Sequence, residues 1–218
     1  MQINTENIFI GRAGKSVKSH PYDWRFFLKT FESLVSKDMT VVEIGCSNFQ
    51  KTQDLARRCK KLIGIEIDKA KIIEFGGNIE VINGDWQDLS SIVGRSSVDL
   101  VVSSHVIEHV PDDLRAINET YEALKSGGSL LFLTPNRNRL TRIAAHMFGF
   151  EKKLIYPEHL REYSFNELMH LISMSRFRHY SVQGAVLGLH TGPFLFYLKK
   201  SPLILRNFVN FWLVALKK

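Results

Sequence analysis

One apolar run that ends in a glycine turn and leads into a helix, Val41-Val42-Glu43-Ile44-Gly45-Cys46-Ser47-Asn48, constrains the fold of this chain more than any other stretch. A second run, Leu62-Ile63-Gly64-Ile65, ends in Glu66, 21 residues after Gly45. In Rossmann-like folds an acidic side chain at the tip of the second strand, about 20 residues past the first glycine turn, binds a ribose. Gly45 and Glu66 together therefore predict a nucleoside site, against the plainer reading of Glu66 as a strand-end surface carboxylate. A dinucleotide fingerprint G-x-G-x-x-G would need glycine at 45, 47 and 50, where this chain has Gly45, Ser47 and Gln50. The two missing glycines are those that let backbone approach a pyrophosphate and let the helix pack closely on the strand, so NAD and FAD fit poorly.

The rest of the chain alternates as a doubly wound α/β fold requires. Residues 41–45, 62–67, 79–82, 98–103 and 128–134 are near-continuous apolar runs, the pattern of parallel strands covered on both faces. Ahead of them, Trp24, Phe27, Leu28, Phe31, Leu34 and Val35 recur at helical spacing within residues 22–35. Asp112 or Asp113 is placed to cap a helix that runs to about Lys125 and stops at Gly127-Gly128, and Ser164-Phe165-Asn166-Glu167 is a capping-box signature. With 218 residues and 44% apolar side chains, one sizeable core is expected and no linker or repeat divides it. Cys46 and Cys59 give neither a disulfide framework nor metal-ligand spacing. With no basic-then-apolar leader at the N-terminus, a cytoplasmic location is expected.

Five segments then carry a family resemblance, in order and spacing. They are residues 41–47, Gly64-Ile65-Glu66-Ile67-Asp68, Asn83-Gly84-Asp85-Trp86, residues 99–110 with Ser103-Ser104-His105-Val106-Ile107-Glu108-His109, and residues 124–136 around Gly127-Gly128. The chain resembles a class I S-adenosylmethionine-dependent methyltransferase, of the broad group that includes ubiquinone-biosynthesis O-methyltransferases. That resemblance implies a Rossmann-like, mostly parallel seven-stranded sheet with an antiparallel last strand near residues 210–216. It implies one domain over 1–218: an N-terminal helical cap (1–37), a cofactor-binding core (38–136), a substrate-covering insertion and helix (137–176) and C-terminal strands (177–218). It implies S-adenosyl-L-methionine as cofactor, a molecule without phosphate that tolerates the relaxed glycine pattern. Glu43, Gly45, Ser47, Glu66, Ile67, Asp85, Trp86 and Ser103 are the implied cofactor-binding residues. Glu43 would face the methionine end, and Asp85 the adenine amino group unless it is only a turn former after Gly84. A buried Glu43 without a partner would be costly, so a charged or hydrogen-bonding group must meet it.

The resemblance also places His105, His109 and His159 near the open end of the sheet, where α/β folds bind ligands. An imidazole suits removal of a hydroxyl proton near neutral pH, and these three are the catalytic candidates; helix capping or a bond to a loop carbonyl is the competing role for each. The stretch from His105 to His109 also resembles the metal-binding E-V-x-E-H segment of metal-dependent small-RNA and quinone-pathway O-methyltransferases. If residues 105, 108 and 109 share the face of one helical turn, they could hold a divalent ion with His159. Packing of the loop is the adopted reading, and no metal ligand is assigned.

The acceptor is read from charge. The formal net charge is +7 and the pI about 9.4. Leu140, Ile143, Ala144, Met147 and Phe148 form a helical stripe with Arg137, Arg139, Arg142 and His146 beside or opposite it, and Lys152-Lys153 follow. Farther on, Phe194-Leu195-Phe196-Tyr197-Leu198-Lys199-Lys200 and Pro202-Leu203-Ile204-Leu205-Arg206 are apolar runs broken by cations. None reaches the ~18 uninterrupted apolar residues of a membrane span. A small-molecule or lipid-linked acceptor, most simply methylated at oxygen, is expected, with peripheral contact to an anionic bilayer; a lid helix packed on its own domain is the alternative for the basic segment. A cofactor-binding domain without catalysis is a second reading. Nucleic-acid methylation is a third, opposed because Ser103-Ser104-His105-Val106 stands where base methylation would need N/D-P-P-Y/F. Two decoys are set aside. Gly11-Arg12-Ala13-Gly14-Lys15-Ser16 lacks the first glycine of a P-loop and reads as a flexible basic segment, and Asn118-Glu119-Thr120 lies in a predicted helix.

Overall fold

The computed structural model describes residues 8–12, 21–46, 49–72, 74–147, 149, 158–191, 194–198 and 207–218. In chain order its elements are β1 (Ile8–Arg12), α1 (Pro21–Leu34), β2 (Thr40–Ile44), α2 (Phe49–Ala56), β3 (Lys61–Glu66), β4 (Ile79–Asn83), α3 (Leu89–Val93), β5 (Val98–Ser104), α4 (Asp113–Ala123), β6 (Leu124–Pro135), α5 (Leu140–Met147), α6 (Phe165–Met174), β7 (His179–Ala185), β8 (Leu187–Thr191), β9 (Phe194–Leu198) and β10 (Phe211–Lys217).

Seven strands make one sheet in the order β4-β3-β2-β5-β6-β10-β7. All run parallel except β10, which is antiparallel to both β6 and β7, as expected of the last strand. Because side chains alternate across a strand, Val41, Leu62, Leu100, Val102, Leu131 and Leu133 pack under α1 and α2 with Phe27, Phe31 and Leu55. Val42, Ile44, Ile63, Ile65, Val101, Leu130 and Phe132 face the other way, onto α4 and α6 with Ile117, Leu168 and Ile172. Both faces are thus dry, which is why these strands read as unbroken apolar runs rather than alternating ones.

The caps follow the local chemistry. Asp112, the first of the two candidates, caps α4 by accepting from Arg115 N at 2.9 Å. Ser164 and Glu167 form both halves of the capping box of α6. Helix α4 stops at Ala123, two residues earlier than expected, because Ser96 and Ser97 donate to its last carbonyls and Leu124 turns extended to pair with Val98.

The ends of the chain depart from expectation. Residues 8–12, inside the presumed helical cap and overlapping the presumed flexible segment at Gly11-Arg12, are a strand; β1, β9 and β8 form a second, three-stranded antiparallel sheet. The described C-terminal region accordingly supplies four strands, of which β8 and β9 lie in the second sheet. Backbone groups of an apolar segment must be paired somewhere, and here β9 pairs with β1 and β8 outside the main sheet, while α5 packs beside β8. Among the described residues no helix is long and apolar enough to cross a membrane. Lys152-Lys153 and the run 202–206 lie outside the described residues.

Candidate cofactor and acceptor site

The order of the sheet reverses between β2 and β5, so the carboxyl ends of these neighbours open the crevice in which α/β sheets bind ligands. On one side of it, Gly45 has φ +76° and donates to Ile65 O at 2.8 Å. A Cβ there would stand 2.6 Å from Val106 Cγ2, so only glycine lets the turn after β2 sit against the loop after β5. Glu43, one residue before the end of β2, is buried, and its Oε2 has no hydrogen-bond partner among the described residues. Burial pushes its pKa up to about 8, against the opposing pull of the Thr52 hydrogen bond and the Lys51 charge. Burial, aided by the charges of Glu43 and Glu66, pushes the neighbouring Cys46 thiol up to about 12. That thiol is no nucleophile.

Glu66 ends β3 buried, with Oε1 accepting from Asp68 N at 3.0 Å. Asn83 fixes the turn beyond it by donating to Glu66 O and Ile67 O at 2.8 and 3.0 Å, and leaves the Ile67 side chain 70% exposed. Asp85 uses both carboxylate oxygens on Gln87, at 2.9 Å to the backbone and 2.9 Å to the amide, so it is at least the turn former. Trp86 corrects an expectation: its indole is buried in the core and donates to Thr120 Oγ1 at 2.8 Å, which leaves only its backbone for a ligand. Ser103 is buried at the end of β5, with its Oγ lacking a partner among the described residues. Ser47 and Asn48 lie outside the described residues.

The histidines do not share a helical turn. His105 has φ +58° and donates its N–H to Leu133 O at 2.9 Å, and the single 3-10 turn covers only Ile107–His109. The one-face argument for residues 105, 108 and 109 therefore fails. The His105 ring stands edge-on to Phe211, with centroids 5.1 Å apart, and its Nδ1 is 3.5 Å from Glu108 Oε1. His109 and His159 meet edge to face at 4.7 Å. His109 Nδ1 lies 2.8 Å from Glu158 O and His159 Nδ1 3.2 Å from Glu162 Oε1. Both partners can only accept, so both Nδ1 atoms carry protons. Donor atoms of Glu108, His109 and His159 lie within 4.8 Å of one another, but His105 stands outside that group. The four-ligand set is not assembled, and the rings tie the loop after β5 to residues 158–162.

One residue that matters here, Glu162, escapes a sequence reading, and Glu108, considered there only as a metal ligand, takes another place. Glu162 is buried and takes both Arg139, at 2.6 Å, and Arg142, at 2.8 Å, while Arg137 pairs with Glu167. The arginines expected to face outward thus fasten the start of α5 to the loop before α6. Glu108, fully buried, is anchored through Oε2 by Thr134 Oγ1 at 3.1 Å. The only signal for Glu162 was a carboxylate close behind an arginine-rich segment.

This arrangement can be set against known proteins. The methyltransferase-domain family matches residues 42–132, the stretch from β2 through most of β6. Residues 42–132 thus form a methyltransferase domain, of the class I S-adenosylmethionine-dependent kind. It is 27% identical over 184 residues to a ubiquinone biosynthesis O-methyltransferase of Vibrio cholerae, covering 80% of this chain and 73% of that one. It is 29% identical over 140 residues to a protein of Mycolicibacterium smegmatis named a probable S-adenosylmethionine-dependent methyltransferase, covering 63% of this chain and only 51% of that relative. The YcgJ protein of Bacillus subtilis shares the fold, with TM-score 0.67 over 91% of this chain and 99% of that one at 16% identity. S-adenosylmethionine is the cofactor of this family, and the methyltransferase edge fits it. There are a turn without a side chain at Gly45, a strand-end carboxylate at Glu66, and at Glu43 a buried oxygen without a hydrogen bond among the described residues, which a cation would complete.

Proposed function

We propose that this methyltransferase transfers a methyl group from S-adenosylmethionine to an oxygen of a small-molecule or lipid-linked acceptor. The observation that carries the reading is the placement of His105, a candidate base, in the loop that rests on the Gly45 turn through Val106. The cofactor supplies a methyl group already activated by a sulfonium. The protein has only to align the acceptor and take its proton. The likeness to the Vibrio ubiquinone biosynthesis O-methyltransferase supports oxygen and an acceptor of quinone-precursor type. A cavity of about 350 Å³ beside the 161–163 loop, lined by Leu114, Leu171 and Met174 together with charged Asp113, Arg137, Arg161, Glu162 and Glu167, suits an acceptor with both polar and apolar parts. The test is formation of S-adenosylhomocysteine with a catechol bearing a short prenyl tail. Cofactor binding with no turnover on this or related hydroxylated acceptors favours the non-catalytic binding domain instead, and methylation confined to amines removes the oxygen assignment.

In the same reading Glu66 accepts hydrogen bonds from the ribose. Glu66→Ala is expected to weaken S-adenosylmethionine binding by about 1–3 kcal/mol, the usual loss when hydrogen bonds to a charged group vanish. Calorimetry that finds unchanged affinity in a folded variant rejects this assignment.

We further propose a cytoplasmic protein that touches an anionic bilayer peripherally. Ile143 and Met147 are 37% and 75% exposed on α5, and the net charge of +7 supplies long-range attraction. Because Arg137, Arg139 and Arg142 pair with carboxylates, the attraction is expected to be modest. Cosedimentation with vesicles should rise with anionic lipid content and fall with salt, as screening over roughly 8 Å requires. Equal partitioning onto neutral vesicles counts against it.

A further inference from the structure

We propose that Glu108 is the positioning carboxylate of a His105–Glu108 pair, which fixes the imidazole that takes the acceptor's proton; this rests on the oxygen-methylation reading above. Glu108 is 0% exposed, yet only one of its oxygens is hydrogen-bonded, to Thr134, while Oε1 has no hydrogen-bond partner among the described residues. A buried carboxylate left half satisfied is expensive, and such an orphan in a native fold calls for a group that completes it. His105 Nδ1 lies 3.5 Å from this oxygen, within ion-pair range but short of a hydrogen bond. Catalytic hydrogen bonds are often this loose before the ligands bind and tighten in the complex.

The backbone argues the same way. Histidine at φ +58° is held in a region that side chains seldom occupy, by the bond to Leu133 O and by the Phe211 ring. Such outliers persist where the surroundings over-determine them, and they cluster at functional sites. The loop that carries His105 presses Val106 onto the Gly45 turn, at the point where the strand order reverses. Glu108 is meanwhile pinned from its own backbone, whose carbonyl accepts from Leu160 N at 3.0 Å and Arg161 N at 3.3 Å. His109 and His159 stand near the same carboxylate but have their Nδ1 atoms tied to Glu158 and Glu162. His105 alone combines a side chain 29% exposed with an Nδ1 facing Glu108.

In that geometry Nδ1–H points to Glu108 and Nε2 is the basic atom. As the acceptor oxygen forms its bond to the methyl carbon, its proton passes to Nε2. The carbon–sulfur bond breaks with its electron pair left on sulfur, yielding S-adenosylhomocysteine, and the imidazolium is held beside the Glu108 carboxylate until its proton returns to water. Glu108 touches neither reactant and acts through His105.

The experiment joins turnover of the prenylated catechol with imidazole ¹⁵N NMR of the full chain. Glu108→Gln is expected to lower kcat about 10²- to 10⁴-fold with the KM for S-adenosylmethionine unchanged, the range spanned by general-base catalysis and by loss of a base's orienting partner. His105→Gln should cost as much, and the double variant no more than either, since the two act as a unit. Glu108→Asp should recover part of the loss. The wild-type His105 signals should report Nδ1–H, and this preference should fade in Glu108→Gln. Thr134→Val, which loosens the anchor while keeping the charge, should give an intermediate kcat if Glu108→Gln does not fold. Wild-type kcat in Glu108→Gln, or His105 signals that do not move, overturns the proposal. So does activity abolished by EDTA and restored by magnesium, manganese or zinc, which would make Glu108 a metal ligand. A wild type that binds the cofactor but turns over no acceptor sinks the proposed function, whereas the spectrum, read without acceptor, still decides the pairing.

Discussion

Glu43→Gln is expected to make the cofactor-free protein more stable and the cofactor-bound protein weaker, two opposite effects from one buried carboxylate. Burial raises the Glu43 pKa from its ordinary 4.5 to about 8. Between these values the folded chain keeps a proton that the unfolded chain has released, so stability falls as pH rises through this window and is fully penalised above it. Below about pH 4.5 both states are protonated and the group contributes nothing. Glutamine has the same shape and never ionises, so its gain should vanish near pH 4.5 and grow to a few kcal/mol by pH 8, at ~1.4 kcal/mol for each tenfold shift. In its proposed role the ionised carboxylate faces the cationic methionine end of S-adenosylmethionine. Wild-type affinity should therefore climb between about pH 6 and 8 with release of a proton, while the affinity of Glu43→Gln stays flat and lower. Thermal melts with and without cofactor, and calorimetry in buffers of different ionisation enthalpy, measure both. A variant that melts lower than wild type at pH 8 without cofactor contradicts the burial argument, and an unchanged pH dependence of binding contradicts the role.

The features that were legible in the sequence are those whose cause is local. The strands β2 to β6 announced themselves because burial on both faces removes polar residues from the strand itself. Gly45 was readable because a single residue type satisfies its φ of +76° and its approach to Val106. The capping box needs only Ser164 and Glu167, three residues apart. What stayed hidden depends on partners distant in the chain. The pairing of Ile8–Arg12 with Phe194–Leu198 leaves no periodic trace in either segment. Trp86 looked like a cleft residue because nothing local reports Thr120, 34 residues away, as its hydrogen-bond acceptor. His105 fitted a helical spacing that its left-handed backbone then broke. The arginines before and within α5 read as a basic face because Glu162, 23 and 20 residues farther along, is what neutralises them.

That neutralisation sets up the largest structural effect expected from one substitution. The Glu162 side chain is 3% exposed and holds Arg139, itself 12% exposed, and Arg142, 21% exposed, with His159 at 3.2 Å. Burial pushes the Glu162 pKa up, but the Arg139 hydrogen bond and the charges of Arg139 and Arg142 more than reverse this, and it ends below the ordinary carboxylate value. A carboxylate so lowered contributes stability that is fully present above about pH 4.5 and is lost as pH falls through the lowered value. Glu162→Ala removes the shared anion from two guanidinium groups with little access to water. Breaking a buried pair in this way typically costs ~3–5 kcal/mol; the partial exposure of Arg142 places the expectation near the lower end. The loss should be large at pH 7 and shrink in acid, where wild type loses the same interaction. Because Arg142 belongs to α5 and Arg139 immediately precedes it, hydrogen exchange should quicken over residues 140–147 more than in β2 or β5. The freed arginines should also raise binding to anionic vesicles. Denaturation that finds the variant as stable as wild type at pH 7, with unchanged exchange in α5, would mean that the apolar contacts of this helix with the second sheet hold it in place and the Glu162 cluster does not.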